Sequence, residues 1–137
     1  MKNSVIAQIN YSFKGENFSP SIALDIEQFA RRNDNFSSLY PKIAQANKID
    51  TYSYAYEVME SSPILFHSPK GNIIDFIHDG KCDLLAYRNF LEQDDMYRQL
   101  EKIAAEILGI NNLHAKENSK IKAALIQTYH INRNRTN

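Results

Sequence analysis

Apolar and polar residues alternate near the start of the chain in two separate runs. In the first run the apolar residues have odd numbers: Val5, Ala7, Ile9, Tyr11 and Phe13. In the second run they have even numbers: Phe18, Pro20, Ile22, Leu24 and Ile26. Side chains on a strand point alternately to opposite faces, so each run predicts a strand with one apolar face. The turn residues Lys14–Asn17 between the runs predict an antiparallel β-hairpin with strands at about residues 4–14 and 17–27.

The rest of the chain has mostly the spacing of amphipathic helices. Residues 29–35 are polar and predict a connection, after which helical stripes begin near residues 36, 83 and 119. Asn72 and Gly80 are plausible ends of a short helix, and Asp94 with Asp95 would open the clearest helix, which Gly109 ends. Residues 50–60 fit either a helix or a strand, with helix favoured. Residues 64–66 fit either a short strand or a loop.

These elements together predict an α+β fold, in which four or five helices pack on one face of the hairpin. A two-stranded hairpin is marginally stable in water and needs a cover. Its free edges also invite another strand, and closed twofold dimers are the commonest oligomers. We therefore expect a homodimer whose sheet is extended through the hairpin. Pairing of residues 64–66 within the chain would weaken that expectation.

The length and charge of the chain favour a single domain with a distinct end. A chain of 137 residues can bury a substantial core without disulfides. Residues 1–110 carry a net charge of −4 and residues 111–137 a net charge of +4. We interpret residues 1–110 as one globular domain and residues 111–137 as a basic extension, partly helical with a disordered end. The overall charge of zero makes nucleic acid an improbable partner for the whole domain.

The composition also bears on the compartment. Cys82 is the only cysteine, so it cannot form an internal disulfide, and this favours a reducing, cytoplasmic location. Polar residues among the first apolar positions break any signal-peptide core, and no stretch approaches the roughly 20 apolar residues of a membrane span. The four glycines stand apart, so the chain has no Gly-rich phosphate-binding motif, and no cofactor is expected.

One group of residues could carry chemistry if it lay on a helix. Asp75, His78, Asp79 and Cys82 follow helical spacing, which would place them on one face, with Asp83 beside them. A carboxylate, an imidazole and a thiolate so placed could bind zinc or serve as acid, base and nucleophile. The favoured interpretation is a solvated helix face, because Gly80 interrupts the segment and no known metal-binding signature is present.

Aromatic residues form a second candidate site. Tyr52, Tyr54, Tyr56 and Met59 lie within eight positions of one another. Tyrosine and methionine are enriched at protein interfaces, so the group could bind a partner, although it could also be part of the core.

The sequence therefore supports three functional hypotheses. The first is a small soluble protein without catalytic activity that works as an interaction or regulatory module, with an unidentified protein partner. The second is a nucleic-acid-binding accessory protein that acts through the basic extension. The third is a small metal-dependent enzyme that uses Asp75, His78 and Cys82.

Overall fold

The alternating start of the chain folds as an antiparallel hairpin in the computed structural model, which describes residues 1–110 and 112–135. The hairpin is divided into two pairs of strands by Asn10 and by Ser19–Pro20. Its strands are β1 (Ser4–Ile9), β2 (Tyr11–Phe13), β3 (Glu16–Phe18) and β4 (Ser21–Asp25). Strand β1 pairs with β4, and β2 pairs with β3.

The register of the hairpin is the one that the alternation requires. Val5 lies opposite Leu24 and Ala7 lies opposite Ile22, so apolar side chains from both strands share one face. Lys14 and Gly15 form the tip with φ angles of 52° and 78°, as a type I′ turn demands at both central positions. The predicted hairpin is confirmed, and so is the α+β class.

The second strand of the hairpin ends earlier than predicted. The carboxylate of Asp25 accepts a hydrogen bond from the Gln28 N–H at 3.2 Å and thereby caps α1 (Ile26–Arg31). The even-numbered apolar pattern continues to Ile26 because that residue also fits the buried face of a helix. The strand therefore ends two residues before the predicted limit of about residue 27, and the predicted connection at residues 29–35 is helical up to Arg31.

A third strand completes the main sheet. Strand β5 (Ile64–Lys70) pairs antiparallel with β1, which gives the order β4-β1-β5. The open alternative at residues 64–66 is thus resolved as a strand. One edge of the hairpin is occupied by β5. At the other edge, the Asn47 side-chain amide donates to the Ser21 carbonyl at 3.0 Å.

Helices and two short strands make up most of the remaining described chain. Residues 50–60 contain a helix, as favoured from the sequence. The elements are a 3-10 turn (Phe36–Ser38), α2 (Leu39–Ala46), α3 (Tyr54–Glu60), a second 3-10 turn (Gly71–Phe76), β6 (Ile77–His78), β7 (Lys81–Cys82), α4 (Leu84–Ile107), a third 3-10 turn (Lys116–Asn118) and α5 (Ser119–Arg135). No helix in the described ranges is both long enough and apolar enough to cross a membrane.

Helix α4 is one continuous helix of 24 residues, although two were predicted. Asp94 and Asp95 lie in its middle and do not open a new helix. The Asp94 carboxylate instead pairs with Arg98 one turn later, at 3.0 Å. No glycine or proline interrupts residues 84–107, so the helix can continue through them. Acidic residues are favoured at the start of a helix but are also tolerated inside one.

The chain divides into two compact units, Met1–Arg88 and Asn89–Asn137. In the first unit, the buried face of β1 joins apolar residues of the helices and of β5. This core includes Val5, Ile9, Ile26, Phe29, Leu39, Ile43, Met59, Phe66 and Tyr87. In the second unit, Met96, Leu100, Ala104 and Leu113 are buried, and Leu125, Ile126 and Tyr129 of α5 pack against them.

The basic end of the chain includes helix α5, which runs from Ser119 to Arg135. The prediction of a disordered end at residues 132–137 stays a prediction. Residues 136 and 137, also in that prediction, lie outside the described ranges. The change of net charge near residue 110 falls inside the second unit.

A polar network joins distant parts of the first unit. Buried Asn3 donates from Nδ2 to the Glu27 carboxylate at 2.8 Å, and its Oδ1 accepts from the Asn72 N–H at 2.9 Å. The Tyr87 hydroxyl donates to Asn72 Oδ1 at 2.7 Å. Burial, followed by the charge of Glu27, raises the pKa of Tyr87 to about 12. The network therefore ties the start of β1 to α1, to the second 3-10 turn and to α4.

Candidate functional site

The proposed metal or catalytic group does not lie on one helix face. Asp75 is in a 3-10 turn, whereas His78 and Cys82 are in the short hairpin β6–β7. Asp79 and Gly80 form the tip of that hairpin with φ angles of 52° and 77°. Asp-Gly is a preferred pair for such a turn, so the sequence contained a signal for the hairpin that the helical spacing obscured.

The hairpin geometry separates the thiol from the imidazole. His78 pairs with Lys81, and Ile77 pairs with Cys82. Paired residues share a face and neighbouring residues do not, so His78 and Cys82 point to opposite sides of the ribbon. A ring nitrogen of His78 instead lies 3.0 Å from the Asp75 carbonyl oxygen. In the part of the chain that the structure describes, no group of three or more His, Cys, Asp or Glu residues could hold a metal ion.

The surroundings of Cys82 oppose nucleophilic chemistry. Burial, followed by the negative charge of Asp83, raises the pKa of the Cys82 thiol to about 11. An attacking cysteine requires the thiolate, which is favoured by positive neighbours and exposure. Cys82 is half-buried and has the opposite electrostatic setting.

We therefore expect Cys82 to react slowly with iodoacetamide in the folded protein. A pKa raised from 9.0 to about 11 reduces the thiolate population by about two orders of magnitude near pH 8. Greater intrinsic nucleophilicity offsets part of this loss, so alkylation should be about tenfold slower than in the same chain unfolded in guanidinium. Mass spectrometry of timed samples measures both rates.

The Asp83→Asn variant provides the matched control. The Asp83 carboxylate accepts from the Ala86 N–H at 3.1 Å, and asparagine caps a helix nearly as well. Removal of the negative charge should accelerate alkylation without unfolding the protein. Native alkylation faster than that of the unfolded chain would instead indicate an activated thiol.

The aromatic group at residues 52–59 divides between the core and the surface. Met59 is fully buried, whereas Tyr52 is 96% exposed and Tyr54 is 78% exposed. Tyr56 is half-buried, and its burial, together with a hydrogen bond to Glu60, raises its pKa. Of the four predicted interaction residues, Tyr52 and Tyr54 thus remain fully available to a partner.

An open cleft of about 600 Å³ lies between the hairpin and the segment that carries these two tyrosines. One wall comes from the hairpin, with Tyr11 and residues 18–20. The other wall comes from residues 47–50 after α2 and from Ser53 and Ala55 at the start of α3. Tyr52 and Tyr54 are chain neighbours of Ser53 and Ala55, and their exposed rings are not among the described residues that line the cleft. We call this region the aromatic cleft.

The hairpin wall of the aromatic cleft is built by a cross-strand pair. Tyr11 lies directly opposite Phe18, and their rings stack with centroids 5.2 Å apart and planes inclined by 21°. Such pairs are favourable because side chains on opposed positions share one face. With Lys14 and Gly15 at the turn, the hairpin register alone pairs residue 11 with residue 18, so this half of the cleft had a signal in the sequence.

Local hydrogen bonds hold the second wall in one conformation. Lys48 has a φ of 58°, and the Ile49 N–H donates to the Ala44 carbonyl at 2.8 Å, which closes α2 in a Schellman motif. The Asp50 carboxylate accepts from the Tyr52 N–H at 2.9 Å. Ser53 caps α3 by accepting from the Tyr56 N–H at 3.2 Å. The backbone that carries both exposed tyrosines is thus preorganised.

The chemistry of the aromatic cleft suits binding. Its walls combine aromatic rings and Pro20 with one positive charge, Lys48, and one negative charge, Asp50. No histidine or cysteine is among the described residues that line it. Nothing in the sequence indicated that the loop after α2 would meet the hairpin, because that approach depends on the packing of α2 and α3.

Comparison with protein-family models, curated proteins and solved structures finds no significant match for this chain.

Proposed function

We propose that this protein is a non-catalytic interaction module that binds a short extended segment of a partner protein in the aromatic cleft. The observation that carries the proposal is a cleft lined by the stacked rings of Tyr11 and Phe18. The segment that forms its other wall also carries the highly exposed tyrosines Tyr52 and Tyr54. Tyrosines dominate binding hot spots because each offers a large, stiff ring and a hydroxyl that can form a hydrogen bond.

The lining of the aromatic cleft favours a proline-containing segment. Stacked Tyr11 and Phe18 provide flat apolar faces in the cleft, and the exposed rings of Tyr52 and Tyr54 are carried by the segment of its other wall. Proline-rich segments dock on aromatic-lined grooves because the polyproline II conformation is formed before binding, which lowers the entropy cost. The hydroxyls of Tyr52 and Tyr54 are suited to donate to the carbonyls of such a segment, which has few internal hydrogen bonds.

A peptide titration tests this proposal. Ten-residue peptides rich in proline, taken from a random display library selected on the protein, are titrated into isotope-labelled protein and followed by NMR. We expect shifts at Tyr11, Phe18, Lys48 and Ser53, with dissociation constants of about 10–100 μM. The double variant Tyr52→Ser/Tyr54→Ser should weaken binding at least about tenfold, because two hot-spot rings are lost.

The Ile74→Ser variant is the matched control, since Ile74 is a large apolar residue exposed elsewhere in the first unit. It should leave the titration unchanged. Selected peptides that bind the double variant as tightly as the unmodified protein, or that shift resonances away from the aromatic cleft, would refute the proposal. A library that yields no binder up to about 1 mM would refute it as well.

The residues that the other two functional hypotheses depend on give them less support. The enzyme hypothesis needs Asp75, His78 and Cys82 to act together, and His78 and Cys82 face opposite sides of a ribbon. The nucleic-acid hypothesis relies on the net positive charge of residues 111–137, which gives weak, salt-sensitive contacts at most.

We also propose a cytoplasmic location, because the single thiol is compatible with a reducing compartment. The homodimer through the hairpin stays a prediction, and in the main sheet β5 leaves only the outer edge of β4 available for it.

A further inference from the structure

The second unit has a small core whose covering helix is itself only half-buried. Helix α5 packs on α4 through Leu125, Ile126 and Tyr129, yet all three remain half-exposed. Two helices and a short connection can bury one seam between them but cannot enclose it. Stable helical folds usually surround such a seam with further helices, as in four-helix bundles.

Large apolar side chains continue from this seam into solvent. Ile103 and Ile107 lie one turn apart on α4. Viewed along the helix axis, Ile103 is rotated by about 60° and Ile107 by about 20° from buried Leu100, so both lie near the buried face. Ile107 is nevertheless 74% exposed, and Leu108 just after the helix is also exposed. On α5, exposed Ile121 lies one turn before Leu125 and extends the packing face of that helix. We call Ile103, Ile107, Leu108 and Ile121 the isoleucine patch.

The two helices of the second unit carry opposite charges. Between residues 89 and 107, α4 has five acidic and two basic residues. Helix α5 has four basic residues and no acidic residue. A twofold axis brings the same surface of two copies together, so the acidic helix of each copy can meet the basic helix of the other. The unit is therefore electrostatically complementary to itself.

We propose that a second copy of this chain covers the isoleucine patch, so that two α4–α5 hairpins form an antiparallel four-helix bundle. Apolar burial of the patch stabilises the dimer, and the opposite charges of α4 and α5 orient it. This interface uses residues of the second unit, whereas β4 and the aromatic cleft belong to the first. A dimer formed in this way would present two aromatic clefts, which favours partners with repeated segments.

Sedimentation equilibrium of the full chain tests the proposal. We expect a reversible dimer, and the Ile107→Glu variant should raise its dissociation constant at least about tenfold, since a charge would be buried in the bundle. Raising NaCl from about 0.05 M to about 0.5 M should weaken the dimer, because salt screens the attraction between α4 and α5. Circular dichroism confirms that the variant is folded.

Two control variants distinguish this interface from others. Leu85→Glu places the same charge on the same helix at a residue that is 71% exposed, in the first unit, and should leave the dimer unchanged. Ala23→Lys charges exposed Ala23 on β4, the edge strand of the dimer predicted from the sequence, and should leave the helical interface proposed here intact. The proposal is overturned if the unmodified chain is a monomer at high concentration or if salt tightens the dimer. It is equally overturned if either control dissociates the dimer as strongly as Ile107→Glu does.

Discussion

Replacement of Gly71 by alanine is expected to lower the free energy of unfolding by about 3 kcal/mol or more, through backbone strain and the loss of buried hydrogen bonds. Gly71 has a φ of +84°, which a residue with a Cβ atom adopts only at a cost. An added Cβ would also lie 2.0 Å from Asn3 Oδ1 and 2.7 Å from the Lys2 carbonyl oxygen. Neither distance is sterically possible, so the structure must shift.

The neighbours of Gly71 cannot move freely. Asn3 Oδ1 accepts from the Asn72 N–H, and Asn3 Nδ2 donates to Glu27, so rotation of this buried side chain breaks both hydrogen bonds. The Lys2 carbonyl belongs to the backbone that leads into β1. Thermal unfolding followed by circular dichroism should show a melting temperature lowered by about 10 °C, as expected for a loss of this size in a chain of this length.

Gly15→Ala is the matched control for backbone strain. Gly15 has a similar φ of +78°, but an added Cβ would meet no atom within 4 Å. We expect it to cost about 1 kcal/mol, which is the strain term alone. In an Asn3→Ala background, Gly71→Ala should cost less than in the unmodified chain, since the closest obstacle is gone. Equal losses for Gly71→Ala and Gly15→Ala would contradict the role assigned to the polar network.

Replacement of Met59 by alanine is expected to cost about 2–5 kcal/mol, because it leaves a cavity in the core. Met59 is fully buried in α3, on the helix that carries Tyr54. Chemical denaturation should show a lower midpoint with an unchanged slope. At temperatures where the variant remains folded, its affinity for peptides of the aromatic cleft should be nearly that of the unmodified protein.

Tyr52→Ser should show the reverse behaviour. Its side chain is exposed, so its replacement should change stability by less than about 0.5 kcal/mol, as surface substitutions usually do. Its peptide affinity should nevertheless fall. The two variants thus separate residues that stabilise the fold from residues available for binding, although both belong to one short stretch of sequence. A large stability loss from Tyr52→Ser, or none from Met59→Ala, would contradict this division.

Local patterns in the sequence predicted the elements whose conformation depends mainly on near neighbours. The alternation of residues 5–13 and 18–24 determined the hairpin, because a strand with one buried face must repeat every two residues. The same register places Tyr11 opposite Phe18 and so determines one wall of the aromatic cleft. Local cues also failed where two patterns competed. Asp25 ended a strand by capping a helix, and the Asp79–Gly80 turn overrode a helical spacing.

The remaining features arise from contacts between residues far apart in the chain. Strand β5 joins β1 across more than fifty residues, and periodicity alone could not choose between that pairing and a loop. The sequence also did not determine which of residues 52–59 are buried, because either end of this segment could pack on the core. In the structure Met59 is the buried residue. The sequence by itself therefore determined the hairpin, its register and the helical character of most later segments. Only the tertiary structure decided which side chains are exposed, since burial depends on which surfaces meet when the elements pack.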